Sequence, residues 1–79
     1  MKTEYKHIYF EQVKPDKPRK TQIWDVRNKA EENLGVVKWH PAWRQYCWFC
    51  EHCYDTIMSK GCLDDISDFI KQLMDARKG

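Results

Sequence analysis

The chain predicts an α+β domain: an antiparallel meander of four to five strands, followed by one amphipathic helix packed on one sheet face. Three observations carry this. Short segments rich in β-branched and aromatic residues recur up to residue 49, separated by polar or Pro-containing connections. Beyond residue 61 the period changes, with apolar residues at 62, 63, 66, 69, 70, 73 and 74 drawing one helical stripe. The chain has 79 residues, which makes one domain, and its four Trp, four Tyr and three Phe offer a core dense enough for that length.

The first strand is expected over 7–13 (HIYFEQV), alternating around Ile8 and Phe10. It ends at KPDKPRK, a basic turn in which proline removes ladder donors. The second strand, 21–27 (TQIWDVR), puts Trp24 and Val26 on one face and Ile23 on the other. A polar connection (NKAEEN) leads to the third strand, 34–39 (LGVVKW), where Val37 and Trp39 face the same way. His40-Pro41-Ala42 turns the chain into the fourth strand, 43–49 (WRQYCWF). Its period of two separates Arg44, Tyr46 and Trp48 from Trp43, Gln45, Cys47 and Phe49. Both faces are largely apolar, and a single helix can cover only one. Residues 54–58 (YDTIM) are a candidate fifth strand.

The helix is expected over 62–78, packing Leu63, Ile66, Phe69, Ile70 and Leu73 on the sheet. Asp64 and Asp65 are placed in its first turn and Arg77 and Lys78 in its last, where they complement the helix dipole. Ser59 is the expected cap.

The run LGVVKW–x3–WRQYCWF, followed by CLDDISDFIKQL, resembles a small domain of phage and prophage genomes. Those proteins pair an LGxIKW…WRxYxF hairpin with a CLxDIxxFI helix. The resemblance spans roughly residues 5 to 75 and implies a mobile-element origin, without an assigned activity. It makes Cys62 the shared cysteine. The Cys50-Glu51-His52-Cys53 stretch departs from the Pro and small residue common at that place.

Cys47, Cys50 and Cys53 at successive C-x2-C spacing, with Cys62 further on and His52 between, form a candidate zinc set. Against it stand the lack of a second, well separated pair and the bulk of Trp48 and Phe49 inside the first. The favoured reading makes Cys47 and Cys62 small buried hydrophobes and Cys50 and Cys53 free thiols in a turn, with no cofactor. An iron–sulfur site would need a fourth cysteine followed by Pro, which is missing. A Cys50 nucleophile with His40 or His52 as base, and acid–base work by Asp64, Asp65 and Asp68, rank lower still, so no enzyme is expected.

The N-terminus lacks the apolar run of a signal peptide, and no segment approaches the ~20 apolar residues of a membrane span. A cytoplasmic protein with reduced thiols and no membrane partner is expected. The favoured function is a non-enzymatic interaction module that binds a protein partner, or itself, through Trp39, Trp43, Arg44 and Tyr46. The alternative is a nucleic-acid binder using sheet aromatics with Lys14, Lys17, Arg19 and Lys20, although the formal net charge is only +2.

Overall fold

Four strands, β1 (Ile8–Val13), β2 (Ile23–Asn28), β3 (Asn33–His40) and β4 (Gln45–Phe49), pair antiparallel in chain order, and α1 (Lys60–Lys78) lies across one face of the sheet. The computed structural model describes residues 1–14, 20–50 and 58–78. The meander-plus-helix architecture is the one the sequence predicts. Of the candidate fifth strand, 54–57 lie outside the described residues, and Met58 belongs to no strand but packs against the core.

Alternation decides which side chains meet the helix. Phe10, Trp24, Val26, Val37 and Tyr46 point to it from the sheet, and Ile66, Phe69 and Leu73 answer from α1; all are buried. Phe69 is the centre. Its ring stacks on Phe10 with centroids 3.9 Å apart and planes 5° from parallel. Trp24 meets it edge-on at 5.1 Å and 75°. The polar ends of the large rings are satisfied: Trp24 Nε1 donates to Gln22 Oε1, and the Tyr46 hydroxyl accepts from the Gln22 amide. Leu63 is a correction to the expected packing. It sits at the edge of the stripe in the first helical turn and is 49% exposed.

The helix begins at Lys60, two residues earlier than expected, because Ser59 caps it. Ser59 Oγ accepts from the Cys62 amide at 3.2 Å, and its carbonyl accepts from Leu63 at 3.0 Å. Asp64 and Asp65 therefore fall beyond the first turn, which holds no acid. Asp64 instead pairs with Lys60 one turn back, at 2.8 Å.

β3 carries a bulge. Val26 pairs with Gly35 and Arg27 with Asn33, so Leu34 is the extra residue. Gly35 has φ +126°, and a Cβ there would run into the Phe49 carbonyl and the Trp48 indole. Only glycine fits, and the space it leaves lets Trp48 Nε1 reach the Leu34 carbonyl at 3.0 Å.

The first six residues, assigned to no element from sequence, fold back onto the domain. Thr3 O accepts from the Phe10 amide, Tyr5 N donates to Ile8 O, and Glu4 bridges Tyr9, so β1's outer edge is partly covered. Gln72 on α1 holds this segment by its amide, accepting from Lys2 N and donating to Lys2 O. Tyr5 is buried, with its hydroxyl donating to Asp68 at 2.8 Å and accepting from Gln72 at 2.9 Å. Asp68, expected on a solvated face, is exposed but engaged.

Truncating the central ring should be the most damaging core change. Phe69→Ala is expected to cost about 3–5 kcal/mol, read by chemical denaturation. A midpoint close to that of the parent would remove Phe69 from the centre of the core. A second expectation concerns alkaline pH. Burial and the bond to the Asp68 carboxylate hold the Tyr5 phenol well above its ordinary value of 10. The folded state therefore favours the protonated phenol. Its contribution is complete below pH about 10 and is lost as pH rises above that, where the unfolded chain releases the proton first. Tyr5→Phe should flatten the fall in stability between pH about 9 and 11; an unchanged slope would contradict this.

Candidate functional site

The sheet face away from α1 is built by the other half of each strand's alternation. Glu11, Asp25, Val36 and Phe49 form one row across all four strands, and Val13 opposite Ile23 and Lys38 opposite Cys47 begin the next. Between them lies a groove of about 750 Å³ whose walls include Val13, Ile23, Val36, Lys38, His40 and Phe49. These side chains are half-buried rather than enclosed.

At one end of the groove the β3–β4 turn adds an aromatic rim. Trp43 N donates to His40 O at 3.2 Å and Arg44 N to Pro41 O at 3.3 Å, and Arg44 takes a left-handed φ of +53°. The turn thus consumes residues 41–44, so the fourth strand starts at Gln45 rather than at 43. Trp43 is thrown outward, 67% exposed, with its ring 4.7 Å from that of His40. His40 in turn lies 5.7 Å from Phe49, and Lys38 Nζ sits 4.8 Å above the Phe49 ring. Deeper in the sheet, Arg27 spans Glu11 at 3.7 Å and Asp25 at 3.6 Å, while its Nε is buried without a hydrogen-bond partner.

The four residues named from sequence as partner anchors are split between the two faces. Tyr46 is 3% exposed and belongs to the core. Trp39 meets Tyr46 edge-on at 5.4 Å, on the helix side, where the Arg77 guanidinium caps it at 4.1 Å. Trp43 and Arg44 remain exposed, in the turn at the mouth of the groove. The sequence places Ile23 on the face away from Trp24 and offers His40 as a base for Cys50, but it does not gather Ile23, Val36, Lys38 and His40 into one groove. The signal was present in the alternation, since each lies one position from a core residue on β2 or β3.

Of the basic turn, Lys14 and Lys20 are described and exposed, at the same end of the sheet as Trp43; Lys17 and Arg19 lie outside the described residues. The cysteines are dispersed. Cys47 is on the open face opposite Lys38, whereas Cys62 packs against the core from α1 on the other side of the sheet. One metal ion cannot reach both. Cys50 is disulfide-bonded, which corrects its reading as a free thiol. Cys53 and His52 lie outside the described residues. Among the described residues no three His, Cys, Asp or Glu side chains gather where an ion could be held, and no helix is long and apolar enough to cross a membrane.

No family model, no curated protein and no solved structure matches the chain. The site is therefore argued from its own geometry.

The opposite placement of Cys47 and Cys62 generates an expectation about metal removal. A strong chelator under reducing conditions should leave the far-UV circular dichroism and the melting temperature unchanged. Loss of the strand signal, restored by added zinc, would show a structural metal.

Proposed function

We propose that this domain is a small non-enzymatic interaction module that binds a protein partner through the open face of its sheet. The observation that carries the reading is that α1 covers one face only, while the other keeps an aliphatic groove with a largely exposed Trp43 at its mouth. Burying such a face removes apolar surface from water at about 25 cal/mol per Å². Trp and Arg, here Trp43 and Arg44, are two of the residue types most enriched among binding anchors. A mobile-element origin, which the hairpin and helix motifs resemble, is part of the same proposal.

The sheet edges favour a face-on contact over strand addition. The N-terminal segment lies along part of β1, and the Tyr46 amide on β4 points at Met74 Sδ, 3.5 Å away. The nucleic-acid alternative relies on stacking platforms at Trp39, Trp43, Tyr46 and Trp48. With Tyr46 buried and Trp39 capped by Arg77, Trp43 is the one exposed tryptophan left for that purpose.

The test is affinity capture followed by mass spectrometry, comparing the parent with Ile23→Asp and Trp43→Ala. Both variants change the open face and leave the helix side untouched, so both should stay folded. A specific partner should be retained by the parent at raised salt and lost by each variant. Capture that is unchanged in both variants, or that is confined to nucleic acid and vanishes with salt, would sink the proposal.

A further inference from the structure

The charges around the groove specify its occupant. Antiparallel order brings the β1–β2 connection and the β3–β4 turn to the same end of the sheet. Lys14, Lys20 and Arg44 are exposed at that end, and Lys38 projects from β3 onto the groove itself. Among the described residues, none of these four cations forms an ion pair. The two carboxylates of the open face, Glu11 and Asp25, are both drawn to Arg27. Arg27 offsets one of these two negative charges within the sheet, and the four cations at the mouth of the groove outweigh the one that remains. A groove floored by Val13, Ile23 and Val36 and rimmed by unpaired cations is complementary to a ligand that is apolar and anionic at once.

We infer that the groove binds an acidic peptide segment with bulky apolar side chains, those side chains seated against Ile23, Val36 and Phe49 and its carboxylates facing Lys14, Lys20, Lys38 and Arg44. This rests on the protein-binding reading and names the class of partner. A polynucleotide fits the same cations less well. The β-branched side chains of the groove floor give bases no ring to stack on, the half-buried Phe49 ring already lies under Lys38 Nζ, and Trp43 is the ring that stands exposed. Salt weakens the charge contacts and leaves the apolar ones, so binding should fall with ionic strength without vanishing.

The probe is a fluorescein-labelled peptide of about ten residues alternating Glu with Leu and Phe, titrated with the full chain and read by anisotropy. Two controls accompany it: the same peptide with Lys for Glu, and a labelled oligothymidylate of equal negative charge. The acidic peptide should bind, with the lysine peptide and the oligonucleotide each at least about tenfold weaker at physiological salt. Lys38→Glu and Arg44→Glu should each weaken the acidic peptide several-fold and narrow its advantage over the lysine peptide. Ile23→Asp should abolish binding with the circular dichroism unchanged. Equal binding of the two peptides, binding insensitive to all three substitutions, or no binding up to about 1 mM would overturn the inference. Tighter binding of the oligonucleotide would replace it with a nucleic-acid site. The broader reading is tested separately: a captured protein that Ile23→Asp releases, together with no preference for the acidic peptide, would keep the interface and discard only its acidic partner.

Discussion

The seating of Phe69 between Phe10 and Trp24 is the contact on which the rest of the molecule depends. A sheet of four short strands cannot hold itself together in water while both faces are wet. The helix has to cover one face, and the stack of Phe69 on Phe10, closed by the edge of Trp24, fixes where it lies. From that point Ile66 and Leu73 reach the sheet one turn to either side, and Arg77 arrives over Trp39. Tyr5 extends the same ring cluster through Phe10, at 5.6 Å, and carries the N-terminal segment with it. One aromatic cluster therefore positions the helix, the sheet twist beneath it and the first residues of the chain.

The same contact decides which face is left for binding. A single helix buries one side, and the side chains of the other alternate positions are left to water. In larger α+β domains a second layer covers them. Here the open face combines Arg27, which ties down Glu11 and Asp25, with an aliphatic groove ending at His40 and Trp43. The internal ion pairs keep this face from being plainly apolar, and the cations at its end keep it from being electrically neutral. Both features are compatible with the partner-binding surface proposed above.

The edges of the sheet are managed independently. Strand β1 has Thr3 and Glu4 along part of its length, and β4 has Met74 against the Tyr46 amide. Together with the bulge at Leu34 and Gly35, which adds local twist, these contacts discourage edge-to-edge pairing between copies of the chain.

By itself the sequence determined the meander, the helix and the core pairs Trp24 with Val26 and Ile66 with Phe69, because these rest on periods of two and of about 3.6 that local geometry imposes. It also contained Ser59 as the helix cap, a short-range effect. What only the tertiary structure decided depends on contacts between residues far apart in the chain. Tyr5 became core because Asp68 and Gln72, more than sixty positions away, meet its hydroxyl. Trp43 and Arg44 left the strand because the turn took four residues, which periodicity cannot count. Alternation split the fourth strand correctly, yet only the docking of α1 chose Tyr46 for the core and gave Cys47 and Phe49 to the open face. That choice, made by the fit of one aromatic ring, separated the aromatic residues of residues 39–49 between the core and the open face.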